Sequence, residues 1–373
     1  VHAALDSSDC PALRHSGQTP AAKGVAMSDF SAKYSSKLER WHMLTGSRLF
    51  WAIFMIAGIA FCAAASTFEF LDLYLQLILI YVGINIILTV SLNLINGYMG
   101  EFSVGHAGFM AVGAYVASLL TVHVFPQSHL NLFYPLAVLA GGLAAAVIGF
   151  LVAIPSFKTR GDYLAIVTLA FCMIVKSVLE NIDAIGGPRG LLGMEKLTTL
   201  PWVFFWTVLS VLVIRNLVYS NFGRGVLSVR EDEIASDLMS VNTRQVKIIA
   251  FVVSSFFAGI AGGLFAHALQ FINPRMFDII KSTDILIMVY LGGIASIAGS
   301  IIGAVIYTIL LEILRPLGVW RMVFMPLLLV LLMIYRPRGI MGLKEARMFI
   351  PLRDFVTEKL WRQKKKEAGD ATP

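Results

Sequence analysis

The chain reads as an all-α, polytopic transmembrane helical bundle, and three observations carry that reading. Of its 373 residues 57% are hydrophobic and only 14% charged, where a soluble domain of this size carries about a quarter charged. The charges gather at the two ends and in short clusters between apolar runs. Several of those runs reach the ~20 residues a helix needs to cross the hydrocarbon core. In lipid they must be helical, because each unpaired backbone group there costs several kcal/mol.

Ten spans are expected, over about 49–66, 73–95, 109–124, 133–154, 163–180, 202–219, 246–270, 283–297, 301–317 and 319–335. Pro316 and Gly318 are expected to form the hairpin between the last two. The polar stretch 1–48 precedes this transmembrane region, 49–343, as an extension expected to be disordered, and 344–373 follows as a basic tail. The extension has no apolar core of a signal peptide, and Met27 is a plausible alternative start, so residues 1–26 need not belong to the native product.

Net charge is +7, but its placement follows a membrane and not a nucleic acid. Lys158, Arg160, Arg224, Arg230, Arg244, Lys247 and the tail fall in alternate connections, whereas 67–72 and 125–132 carry no Lys or Arg. The positive-inside rule then puts both termini on the cytoplasmic side of the membrane. Cys10, Cys62 and Cys172 follow no metal-ligand spacing, and no metal site is expected. Small residues four apart, Gly141, Ala145 and Gly149 in one span and Gly259 and Gly263 in another, predict close helix packing inside the bundle.

Two segments stand apart. Asn96–Tyr115, NGYMGEFSVGHAGFMAVGAY, sets Gly97, Gly100, Gly105, Gly108 and Gly113 among Glu101, Ser103 and His106. Each glycine costs a helix ~1 kcal/mol relative to alanine. Irregular backbone at membrane depth is tolerated where protein buries it or a polar cavity exposes it. The segment therefore reads either as a broken or re-entrant helix beside a solute route, or as a tight turn followed by a packing face. Glu101 and His106 show no obvious partners, so they read as boundary side chains and not as a proton relay. The second segment, Gly223–Lys247, is the longest charged connection. Leu227, Ile234, Leu238 and Val241 recur in it at helical spacing, which predicts a short amphipathic helix that docks on a soluble partner. No G-x-x-x-x-G-K-[ST] loop occurs, so this chain does not hold ATP in that way; no catalytic residue is assigned, and no enzyme is expected.

These segments carry a resemblance. Gly97-Tyr-Met-Gly-Glu-Phe-Ser103-Val-Gly-His106-Ala-Gly-Phe109 with Gly113-Ala-Tyr115 resembles the signature of branched-chain amino-acid ABC permeases of the LivHM type. Gly223-Arg-Gly and Arg230-Glu-Asp-Glu-Ile-Ala235 resemble that family's coupling loop. Matches continue through Gly186-Gly-Pro-Arg-Gly190-Leu, Ala258-Gly-Ile-Ala-Gly262, Gly292-Gly-Ile-Ala-Ser296 and Arg336-Pro-Arg-Gly339-Ile-Met-Gly342, and the 186–191 element looks more like a LivM-type subunit than its LivH-type partner. Ser240 departs from the pattern, which has glycine there.

The resemblance implies an importer subunit for Leu, Ile, Val or related amino acids. Its implied partners are a LivH-type sister permease, two LivG/LivF-type ATPases that use the ATP, and a periplasmic binding protein; the chain itself binds no cofactor. Arg224, Arg230, Glu231, Asp232, Glu233 and Ala235, in the loop 220–245, would meet an ATPase. Asn93, Ser103 and His106 are the pathway candidates. A urea or other small-solute permease of the same family is the alternative. An ion-coupled carrier is disfavoured, because Lys176, Glu180, Asp284, Glu312 and Arg315 lie near span ends and no carboxylate chain crosses the centre.

Overall fold

Apolar length dictates the architecture. The computed structural model describes residues 55–62, 72–126, 130–158, 163–335 and 339–341. The expected extension 1–48 and tail 344–373, with Cys10 and Met27, lie outside the described residues.

Helix α1 covers 55–62 of the first expected span. It is followed by α2 (Leu73–Asn93), α3 (His106–Leu119), α4 (Leu130–Ser156), α5 (Tyr163–Asn181) and α6 (Leu200–Val218). Two short helices come next, α7 (Asn221–Glu231) and α8 (Glu233–Leu238), then α9 (Thr243–Leu269), α10 (Ile279–Gly292), α11 (Ile297–Ile313) and α12 (Arg321–Tyr335). Each of the ten expected spans carries helix. Among the described residues six helices are long and apolar enough to cross a membrane: Leu73–Met99, His106–Val124, Asn131–Ser156, Tyr163–Asn181, Leu200–Val218 and Thr243–Leu269. The π-helical turns Leu94–Met99 and Leu120–Val124 extend α2 and α3, and Gly318, at φ 55°, turns the chain between α11 and α12.

Helix α9 is the spine, packed on α4, α3 and α2. Its small residues permit this. A Cβ on Gly113 of α3 would lie 2.2 Å from the Gly259 carbonyl oxygen of α9, and one on Gly149 of α4 would lie 2.5 Å from Ser255 Oγ. The smooth faces seen in the sequence therefore meet one another within the chain. Lipid tails are as apolar as leucine, so such backbone contact, with hydrogen bonds, supplies the association.

Helix α10 begins well below the end of the bundle. The chain leaves α9 at Gln270, in the left-handed region at φ 63°, then runs 270–278 back down alongside α5. Arg275 Nε lies 3.9 Å from Glu180 Oε1, Lys176 Nζ bonds Asp278 Oδ2 at 2.7 Å, and Cys172 lies against Phe277 and Ser282. This places the first turn of α10 beside that of α3, where the Ala107 amide donates to Ser282 Oγ at 3.2 Å. The stretch 271–282, expected as an outward connection, thus enters the bundle, and α10 starts four residues earlier than the expected span.

Replacing Gly113 by valine is expected to force α3 from α9 and cost about 1–3 kcal/mol. A thermal melt in detergent followed by size-exclusion chromatography checks this; a midpoint equal to that of the parent protein contradicts it.

Candidate functional site

The glycine-rich segment is an irregular crossing between α2 and α3. After the π turn, Gly100 adopts φ 78°, a left-handed conformation available to glycine at no Cβ cost. Asn96 then braces the loop, accepting from the Ser103 amide at 3.1 Å while its Nδ2 reaches the Ser103 carbonyl at 3.4 Å. At Gly105 the loop touches α5 so closely that a Cβ would sit 2.2 Å from the Thr168 carbonyl oxygen, and the Val104 amide donates to Thr168 Oγ1 at 3.2 Å. Gly97 packs on Ala295, Gly108 on Cys172 and Gly113 on Gly259. The segment is a broken helix, buried by protein at Gly97, Ser103, Gly105 and Gly108 and exposed at Gly100 and Phe102.

The expected pathway residues lie in that protein. Asn93, Ser103 and His106 are each 1% exposed. Asn93 fastens the break between α10 and α11: its Oδ1 accepts from the Ala295 amide at 3.0 Å, and its Nδ2 donates to the Ser296 carbonyl at 3.0 Å and to Ser300 Oγ at 2.7 Å. Ala295 itself sits at φ 58°. His106 Nε2 lies 2.8 Å from Ser91 Oγ, and the Ser91 carbonyl accepts from Ser254 Oγ at 2.5 Å, tying α2, α3 and α9 together. His106 therefore has a partner that its sequence neighbourhood does not show. Ser103 Oγ and His106 Nδ1 are buried without a protein partner.

The charged connection folds as two helices, where one amphipathic helix was expected. Ser220 caps α7, accepting from the Gly223 amide at 3.2 Å. Asp232 then leaves the helical region, at φ −159° and ψ 113°, and its carboxylate accepts from the Ile234 and Ala235 amides at 2.9 and 3.0 Å. An aspartate that satisfies two free N–H groups starts a new helix, so the apolar spacing is split. Val226 and Val229 of α7 are buried, whereas Ile234, Leu238 and Met239 on and after α8 stand 69%, 81% and 79% exposed. Arg224, Glu231 and Ala235 are exposed as well.

Arg230 and Glu233 turn toward the bundle. Arg230 Nη1 donates to the Gly97 carbonyl at 3.3 Å and Nη2 bonds Glu231 at 2.6 Å, and a Cβ on Gly100 would strike Arg230 Cγ. Lys247, buried at the foot of α9, bonds Glu101 Oε1 at 2.6 Å and Glu233 Oε2 at 2.8 Å. Glu101, partnerless in the sequence reading, thus pairs with a lysine 146 positions away. One ammonium joins the glycine-rich crossing, the α7–α8 connection and the spine helix. Among the described residues no three His, Cys, Asp or Glu side chains form a metal set.

Apolar helices with buried breaks and a charged helical pair at one end define a multi-pass membrane permease. The profile of the family described as branched-chain amino acid transport system / permease component matches residues 74–334, and the chain belongs to that family. It is 33% identical over 300 residues to the high-affinity branched-chain amino acid transport system permease protein LivM of Escherichia coli K12, covering 71% of this chain and 69% of that protein. It is 26% identical over 320 residues to a probable LivM of Methanocaldococcus jannaschii, covering 71% and 92%. The E. coli LivH permease is 30% identical over 148 residues, covering 39% and 47%. No solved structure matches the chain.

Ser240 occupies the left-handed region at φ 65°, where it ends α8 with the Ser240 and Val241 amides bonded back to Asp237 and Ser236. This is a glycine position. Ser240→Gly is expected to raise stability by about 0.5–1 kcal/mol, read as a higher detergent melting midpoint; a lower midpoint contradicts it. Lys247→Met leaves two partly solvated carboxylates facing each other and is expected to cost about 1.5–3 kcal/mol. The same melt run on K247M checks this, an unchanged midpoint counting against the buried pairing, and Glu101→Gln in the K247M background is expected to recover part of the loss.

Proposed function

We propose that the chain is a permease subunit of an ATP-driven importer for branched-chain or related amino acids, working beside a LivH-type sister permease. The profile match over residues 74–334, most of the bundle, carries this reading. In it a periplasmic binding protein delivers the solute, two separate ATPases supply the energy, and this chain binds no cofactor of its own. Both termini lie in the cytoplasm, so α7, α8 and the glycine-rich crossing face that side and the 270–278 descent opens from the other.

The charged connection then divides its work. Ile234, Leu238 and Met239 are the docking surface, since exposed apolar residues on a short helix suit an apolar groove on a soluble partner. Arg230 and Glu233 are transmission residues. When an ATPase displaces α8, Lys247 carries Glu101 along and the Arg230 guanidinium drags the Gly97 carbonyl, so the crossing between α2 and α3 shifts. Transport follows from that shift, with no proton relay in the chain.

The test is leucine uptake into proteoliposomes that hold the assembled transporter, binding protein outside and ATP inside. ATP is expected to drive accumulation, and uptake driven by a proton gradient without the ATPases contradicts the reading. Leu238→Asp is expected to release the ATPases. The R230E/E233R double variant is expected to keep them bound and hydrolysing while uptake falls at least about tenfold, the equivalent of one charge-assisted contact. Normal uptake by the double variant removes the transmission role.

A further inference from the structure

Lys281 falls between the expected spans 246–270 and 283–297, yet it stands in the first turn of α10. Its Nζ lies 5.6 Å from the centre of the Phe265 ring. Phe265 meets Tyr81 at 6.2 Å and Phe277 at 6.0 Å between ring centres, so the ammonium sits at an aromatic collar built by α2, α9 and the descending segment. Phe265 precedes the end of α9 by four residues and Tyr81 follows the start of α2 by eight. At 1.5 Å per residue the collar lies roughly 6–12 Å below those helix ends.

A cation at that depth is costly against lipid, and such residues face protein or a polar route. The neighbouring cations are neutralised: Lys176 bonds Asp278, and Arg275 approaches Glu180. Lys281 has no carboxylate within 4.0 Å among the described residues. Asp284, one turn further along α10, acts on it only from longer range and accepts from the Tyr307 hydroxyl. The Phe265 face stabilises the cation, and among the described residues no acceptor lies within hydrogen-bond reach of its three N–H donors. Lys281, Phe265 and Tyr81 are each only partly buried, unlike the sealed Asn93, Ser103 and His106.

We infer that the Lys281 ammonium holds the carboxylate of the amino acid as it passes the collar, with the Phe265 and Tyr81 rings against its apolar side chain. The inference rests on the amino-acid import reading and adds the group that receives the solute's negative end. A carboxylate supplies the acceptors the ammonium lacks, in a charge-assisted bond stronger than a neutral one, and the rings suit an aliphatic side chain.

Two measurements on the assembled transporter in liposomes of zwitterionic lipid test it. First, Lys281 is labelled with a small amine-reactive ester and the extent read by mass spectrometry. Leucine is expected to slow the labelling and leucinamide, which lacks the carboxylate, to leave it unchanged. Equal protection by both, or by neither, overturns the assignment, as does protection that depends only on adding anionic lipid, which would make a headgroup phosphate the ligand. Second, K281Q is expected to lower the maximal rate of leucine uptake about tenfold with binding-protein-stimulated ATP hydrolysis retained, and K281R to stay within about twofold of the parent protein. Parental uptake by K281Q overturns the assignment and leaves the import reading intact. A parent transporter that imports no amino acid with ATP overturns the import reading, and the assignment with it. Should K281Q fail to assemble, the labelling of the parent transporter decides.

Discussion

The arrangement at the basic end of the bundle depends on one buried ammonium. Lys247 reaches two carboxylates, Glu101 in the crossing between α2 and α3 and Glu233 at the start of α8. Buried ion pairs add little net stability compared with apolar packing, yet losing one partner is costly. Their value here is registration. The α7–α8 pair is short, and its outer face is exposed, so packing alone would leave it weakly held. Lys247 and the Arg230–Gly97 bond fix it to the part of the chain whose backbone is least regular.

That irregularity is built in three places. The crossing at Gly100–Gly105, the turn at Gly293–Ser296 and the descent at 270–278 each interrupt α-helix inside a bundle of apolar helices. Backbone groups freed at membrane depth need partners, and side chains supply them: Asn93 for the turn, Asn96 and Thr168 for the crossing, Ser282 for the first turn of α3. Two of the polar residues that look like a route in the sequence also bond within the chain. Asn93 and His106 hold the breaks in shape.

Much of this was legible in the sequence. Apolar length located the helices, the glycine run located the crossing, and small residues four apart located the α3–α4–α9 contacts, because each is a local signal. Even the departure at Ser240 was visible, and the structure gives it a left-handed backbone. What escaped depends on distant pairing. Nothing near Glu101 announces Lys247, and nothing near Asn93 announces Ala295. Helical spacing ran straight through Asp232, since periodicity does not register a cap that restarts the helix. Lys281 fell between the expected spans 246–270 and 283–297, and the descent into the bundle follows from contacts with α5 that no local pattern encodes.

The central claim is that α8 and the glycine-rich crossing move as one body. It is tested most directly by electron-resonance distance measurements on the assembled transporter, with spin labels on cysteines placed at Leu238, at Phe102 and at Leu192 in a background lacking the native cysteines. All three sites are exposed; Leu238 and Phe102 lie at the Lys247 end, and Leu192 at the other. Through the ATP cycle the 238–102 distance is predicted to hold while the 238–192 distance changes. A 238–102 distance that changes while 102–192 stays fixed would contradict the account, since α8 would then move without the crossing.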